Sequence, residues 1–460
     1  MPIRYCKLDE GTFVDRSGAD SGANVLTGPA GMQAIIRGTS AAAATILAAG
    51  DTLYLQGTGD LTRLVDLDVG AACQNWSVGD RVRNDVGAGP PPVAGSQWNG
   101  VVVETNTGGY LANNNHARVW LEAGRDETDI IVASGVENQD ALGGAGDPVN
   151  TIPIVGRSTP GIQNDGNAGT DGNRISFAGV DDLWVEDGTL ATLAGGDIAS
   201  YCLTLEGVHH FIWRSIELKE ANLDNIYVAV LTQHYTFARC SIHDSNTGDG
   251  VGGTNQYFFV YLNTDIYSNA IEGIAGAARY GSLVGSRVFN NGGNGAVIQY
   301  SGGVHNCEFY GNGGYGLSLS FARARIISNS VFDSNGNSGI YITDGDRVVT
   351  NCRLTNNGRY GLEVSTATVF AQHNFFQGNA LGATLGSTVR THDKGVVDTN
   401  IYSGVDGYVL GPSHSSRDYG LTPYATGRRL DPDLVGTMRL SAGLPALDLP
   451  FDRGKRGGKQ

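Results

Sequence analysis

The stretch NCEFYGNGGYGLSLS at residues 306–320 returns with the same layout as NSVFDSNGNSGIYIT at 329–343 and NCRLTNNGRYGLEVS at 351–365. The large apolar residue before each Asn/Gly corner is Ile242, Ile266, Val288, Phe309, Phe332, Leu354 and Phe376, at steps of 24, 22, 21, 23, 22 and 22 residues. A repeat of about this length is one supersecondary unit that cannot bury its apolar face alone, so the copies must stack. Inside a unit the period is two: Leu317 and Leu319 point one way, Ser318 and Ser320 the other. Two or three short strands per unit, joined at Gly/Asn corners, cannot fold back as hairpins and still keep register from copy to copy. They wind as a coil in which each strand pairs in parallel with its equivalent one turn on. The spacing therefore predicts an all-β solenoid, a parallel β-helix of about 22 residues per coil. The units carry no helical segment, which disfavours a leucine-rich repeat.

The corner column Asn269, Asn291, Asn312, Asn335, Asn357 and Asn379 fits this reading. Asparagine tolerates left-handed backbone and can hydrogen-bond to its copy in the next coil. Of six cysteines, Cys240, Cys307 and Cys352 share one inward column with Thr264, Ser286, Ser330 and Asn374 between them. With strands stacked at about 4.8 Å, the nearest two lie roughly 10 Å apart, beyond disulfide reach. They are expected to be reduced packing residues, and no CxxC suggests zinc. Lys and Arg number 31 against 46 Asp and Glu, a formal charge of −15, which argues against nucleic acid as a partner. It also disfavours acidic polysaccharides unless a metal or a local basic groove intervenes. The N-terminus MPIRYCKLDEGTF has no apolar h-region, so no signal peptide is expected, and no apolar run of 18 residues predicts a membrane span.

Residues 1–28 read as an extended arm. Residues 29–74 read as a capping helix, with Ser40 as N-cap of AAAATILAA and Gly50 as its stop, followed by the strand DTLYLQG. Residues 75–132 lack the repeat and carry short strands with Pro/Gly turns, an inserted small β subdomain. The β-helix is expected over 133–411, and an extended aperiodic segment over 412–460. The coil repeats, together with the small-residue helix leading into GDTLYLQG, resemble the pectin-lyase-like superfamily of right-handed parallel β-helices. The insert and the C-terminal segment are similar to those in virion proteins of tailed bacteriophages. The resemblance implies a right-handed coil, no cofactor, and a place among other virion proteins, as a homotrimer or another symmetric assembly.

The outward residues fall in columns. On the GLSLS strand they are mostly small and uncharged, with Glu206 and Glu363 seven coils apart and no Lys or Arg. Lyases of the superfamily cluster acidic calcium ligands and a Lys or Arg base on one face, so this strand is not expected to catalyse, and no metal site is expected. The other strand is richer. Asp265, Arg287 and Glu308 form an alternating charge column, and Tyr267, Phe289 and Tyr310 an aromatic column beside it. Ion pairs and stacked rings that hold register are one reading. A sugar platform, with Tyr267, Phe289 and Tyr310 as the binding residues, is the functional one. Asp265 and Glu308 as an acid/base pair would stand roughly 9.5 Å apart, at the edge of the inverting-glycosidase range. Arg287 between them would hold both ionised.

Two function classes follow. The favoured one is a non-enzymatic structural virion protein of a tailed bacteriophage, a capsid decoration or a fibre or spike component, with polysaccharide binding as an added capacity. The alternative is a polysaccharide lyase or glycoside hydrolase of the same fold, with Asp265, Glu308 and Arg287 as its catalytic candidates.

Overall fold

The computed structural model describes residues 3–9, 25–37, 47, 49–69, 76, 81–85, 98–105, 116–122, 124–130, 135–138, 152–153, 156–164, 170, 172–229, 232–253, 256–299, 303–320, 325–385, 389–390 and 401–403. The chain divides into two compact units, Met1–Gly281 and Ser282–Gln460. Ser40 and residues 41–46 and 48 of the predicted helix, and the segment 412–460, lie outside the described residues.

Both units contain right-handed parallel β-helix coils with three short strands per turn. In the first unit one such turn is Ile226–Val228, Gln233–Ala238 and Ser241–His243. Each strand pairs in parallel with its equivalent in the turn before: Ile226 opposite Leu203, Phe237 opposite Trp213, Ile242 opposite Leu218. In the second unit Leu317–Ser320, Arg325–Ser328 and Val331–Asp333 do the same, with Leu317 opposite Ile340 and Phe332 opposite Leu354. The repeat alone leaves two or three strands per unit open, and the middle strand is the third. Val304, Ile327 and Val349 each give it one fully buried apolar residue.

Register stacks like on like. Phe177, Trp213, Phe237 and Tyr261 are register partners. Their rings stack inside the first unit at 3.9, 6.3 and 5.7 Å between centroids. In the second unit Phe309 stacks on Phe332 at 5.0 Å. Such pairs add about 0.5–1.5 kcal/mol each beyond their area burial.

The asparagine column ladders as expected, but its backbone does not take the left-handed conformation. That falls on the preceding residue: Ser268, Asn290, Gly311, Ser334, Asn356 and Gly378, with φ between 54° and 69°. The turn this produces points the asparagine inward, where Asn291, Asn312, Asn335, Asn357 and Asn379 are each at most 2 % exposed. Asn312 Nδ2 donates to Asn335 Oδ1 at 2.9 Å and to the Val288 carbonyl at 3.1 Å. Its Oδ1 accepts from the Asn291 backbone and side-chain nitrogens at 3.2 and 3.0 Å. The polar atoms of a buried amide are thus satisfied by copies of itself.

Residues 3–7, expected in an arm, form the strand Ile3–Lys7, which pairs in parallel with Thr52–Gln56. A helix is present at Gly28–Arg37, ahead of the predicted one. Ala30, Met32 and Ile36 are buried. Gln33 Oε1 accepts from the Gln163 amide at 2.8 Å and Gln33 Nε2 donates to the Gln163 carbonyl at 3.1 Å. The side-chain amide takes the place of one further strand residue beside Ile162–Asn164. The inserted subdomain is wider than 75–132. Its antiparallel sheet draws strands from Leu64–Asp68 to Gly156–Ser158. One face holds Val65, Leu67, Trp98, Val102 and Val119. The other buries Arg118, which donates to Asp66 at 2.7 Å and to Gln163 Oε1 at 2.7 Å.

The described cysteines Cys6, Cys202, Cys240, Cys307 and Cys352 are buried thiols that form no disulfide. Burial pushes the thiols of Cys202, Cys240 and Cys307 up to about 12. Cys352, 2 % exposed, lies in the same inward column as Cys307.

Two outcomes follow. Phe332→Ala should cost about 3–5 kcal/mol in denaturant unfolding, whereas Ser318→Ala, on the outward side of its strand, should stay within about 0.5 kcal/mol; equal losses would refute the inward and outward assignments. Alkylation of unreduced protein should label these five cysteines only after unfolding, and a recovered Cys307–Cys352 disulfide would contradict the coil register.

Candidate functional site

The third strands of the first unit present two outward columns. Register places Thr58, Thr192, Glu217, Ser241 and Asp265 in one, and Asp60, Ala194, Lys219, His243 and Tyr267 in the other. Glu220 and Asp244 follow at the left-handed corner, with φ of 59° and 57°. One-coil spacing brings these columns into contact. His243 Nε2 lies 3.1 Å from Glu217 Oε1, and its Nδ1 lies 2.8 Å from Asp244 Oδ2. Thr192 Oγ1 donates to Glu217 Oε2 at 2.7 Å. Tyr267 stacks on the imidazole at 4.5 Å, nearly parallel at 8°. Lys219 Nζ is 3.1 Å from Glu220 Oε1.

The electrostatics follow from these contacts. The hydrogen bond from His243 holds the Glu217 carboxyl down at about 2, against its burial and with help from Thr192 and the charges of His243 and Lys219. Burial alone would lower the His243 imidazole, but its bonds to Glu217 and Asp244 and their charges outweigh it and raise it. The hydrogen bond to Glu220 raises Lys219, against a smaller effect of burial. Below its raised pKa, His243 is an imidazolium clamped between two carboxylates, with both ring N–H groups donating.

The residues expected from the sequence divide between the units. Asp265 and Tyr267 belong to the first, and Arg287, Phe289, Glu308 and Tyr310 to the second. In the second, Arg287 is opposite Glu308 and Phe289 opposite Tyr310. The two rings stack at 4.7 Å and 10°, and the Arg287 guanidinium sits 5.7 Å from the Phe289 ring. Further along, Asp333 Oδ1 accepts from Thr355 Oγ1 and from Asn356 Nδ2. Stacking turns one face of Phe289 and one of Tyr310 toward each other, and both residues are half-buried.

Three groupings have no counterpart among the residues expected from the sequence. At the first strands, Tyr315 in the corner before Leu317 stacks on Tyr341 at 4.6 Å, and Arg359 reaches Glu363 at 3.3 Å from the corner. This supplies a cation to a face read as having none. Asp224 lies over the Gly252 notch, where a Cβ would fall 2.2 Å from its Oδ2. Burial pushes its carboxyl up to about 6, against a hydrogen bond from the Asp249 amide, while the Asp249 charge adds to the rise. At the start of the middle strands, His210, His234, Phe258 and Tyr280 stack at 4.7, 4.7 and 5.2 Å. All four have left-handed backbone. Their spacing is visible in the sequence, but nothing there assigns the strand that carries them. Among the described residues, no group of three or more His, Cys, Asp or Glu side chains is placed to hold a metal ion, and no helix is long and apolar enough to cross a membrane.

The Glu217–His243 pair has a defined pH window. The depressed Glu217 pKa stabilises the fold above the ordinary carboxyl value of 4.5, a contribution lost as pH falls toward 2. The raised His243 pKa stabilises below 6.5, a contribution lost as pH rises through the raised value. The Tm difference between the native chain and Glu217→Gln should therefore be largest between pH 4.5 and 6.5 and shrink on both sides; a difference that stays flat across this window and beyond it on both sides would contradict the clamp.

No curated protein matches the chain. Among solved structures it is similar to the A-module of the mannuronan C-5 epimerase AlgE4 of Azotobacter vinelandii, at 13 % identity and a TM-score of 0.44, covering 88 % of this chain and 98 % of that one. It is similar to the pectate lyase Pel9A at 12 % identity and 0.43, covering 94 % and 82 %. It is also similar to the enzymatically active domain of bacteriophage CBA120 tailspike protein 2 at 13 % and 0.34, covering 69 % and 54 %. At these values no activity passes to this chain. Residues 322–416 match the family described as "Right handed beta helix region", the segment in which the second unit's parallel registers continue.

Proposed function

We propose that this chain is a structural component of a tailed-phage particle, a fibre, spike or capsid-decoration protein, whose third-strand face contacts a glycan. The observation that carries the structural part is how the outward side chains are engaged. Glu217 binds His243 across coils while Asp244 holds the other ring nitrogen from the same coil, Phe289 and Tyr310 stack, and Asp333 bonds Thr355 and Asn356. Pairs of this kind fasten one coil to the next. A general acid needs a raised pKa, and Glu217 is held at about 2. The phage assignment rests on the sequence resemblances of the insert and the C-terminal segment. In a particle the chain would stand among other virion proteins as a homotrimer or another symmetric assembly. Tyr267 in the first unit, and Phe289 and Tyr310 in the second, would each offer a glycan a ring edge rather than a face, the two tyrosines a hydroxyl as well.

A second reading draws on the same face. An imidazolium between two carboxylates and beside a tyrosine is also a set of acid and base groups, which favours a polysaccharide-cleaving enzyme. Asp265, Arg287 and Glu308 remain its other candidates.

Light scattering of the purified chain, with reducing-end and unsaturated-product assays over a glycan panel, separates the two. The structural reading expects a symmetric oligomer without turnover. A monomer whose turnover falls at least about 100-fold in His243→Ala, Asp265→Asn or Glu308→Gln would replace it with the enzyme.

A further inference from the structure

The charge of the third-strand face in the first unit limits what it can hold. Five carboxylates border it: Asp60, Glu217, Glu220, Asp244 and Asp265. Two cations face them, Lys219 and His243. Both cations are already paired with acids of this face. Lys219 is committed to Glu220 at 3.1 Å, and His243 spends both ring nitrogens on Glu217 and Asp244. Successive members of each column are one coil apart, so a bound chain running along the coils would pass Glu217 and Asp265 on one side and Asp60 with the corner acids Glu220 and Asp244 on the other.

We infer that the glycan taken at this face carries no carboxylate, sulfate or phosphate: it is neutral or amino-bearing. This rests on the glycan-contact reading above. Neutral sugars donate hydroxyl hydrogens to carboxylates, and an ammonium gains from the field of the acids. A polyuronate would have to displace Glu220 or the Glu217–Asp244 clamp and leave those carboxylates facing its own. The surrounding charge does not help it, since the whole chain is formally −15.

Affinity electrophoresis of the full chain tests this in gels containing dextran, a galactomannan, partly deacetylated chitin, polygalacturonate or alginate, with EDTA present. The expected result is retardation by at least one of the first three, weakened in Tyr267→Ala, and none by the two polyuronates. Freeing the cations should reverse the selectivity. The double variant Glu220→Gln/Asp244→Asn should gain polyuronate retardation that disappears as salt is raised from about 10 to about 300 mM. Retardation of the native chain by either polyuronate in EDTA would overturn this inference and leave the glycan reading intact. No retardation by any of the five would overturn the glycan reading, and this inference with it.

Discussion

Everything in these coils depends on parallel pairing between one turn and the next. A strand of three or four residues is far too short to be stable alone, so each turn is held by the backbone bonds and side-chain stacks of its neighbours. Pairing in register also means that any inward residue meets its own equivalent. That is costly for an isolated polar group and favourable for one that is both donor and acceptor. Asparagine is both, and the chain from Asn291 to Asn379 uses each amide as the partner of the next. The left-handed residue just before it supplies the turn that aims the amide inward.

The same rule shapes the outside. A single coil spacing puts outward side chains in direct contact, so a charged or aromatic column becomes a series of pairs. His243 is the clearest case, bonded to the coil before it through Glu217 and stacked on the coil after it through Tyr267. Catalysis on such a face requires a group spared from this pairing. Asp224 accepts from the Asp249 amide one coil on, yet burial in the Gly252 notch lifts its carboxyl to about 6, the opposite direction from Glu217 on the strand.

The coil was legible because its signals repeat. Phe332 and Leu354, the cysteine column and the asparagine ladder all sit where the period puts them. The middle strand stayed open because its alternation is interrupted by small or polar residues, as at Gly303 and Ser282. The helix at Gly28–Arg37 was missed because two glycines and a proline weaken its propensity, and burial of Met32 and Ile36 outweighs that. The site was partly legible. Asp265 and Tyr267 were placed outward by alternation, but the His243 clamp needed the offset between coils and the corner acid Asp244. Arg359 and Asp224 escape a reading of strand positions, because both act from corners.

The ladder also bears on chemical ageing. Asn312, Asn335 and Asn357 are each followed by glycine, the pairing in which a side-chain amide is most readily attacked by the next backbone nitrogen and converted to aspartate or isoaspartate. Here the attacking nitrogens of Gly313, Gly336 and Gly358 are bonded to carbonyls of the preceding coil at 2.7–2.8 Å. The target amides are fixed in place on both sides. A succinimide cannot close without unwinding a coil. The dipeptides that would act as a clock in an open loop are held stopped, and the chain keeps these three asparagines for as long as its coils stay wound.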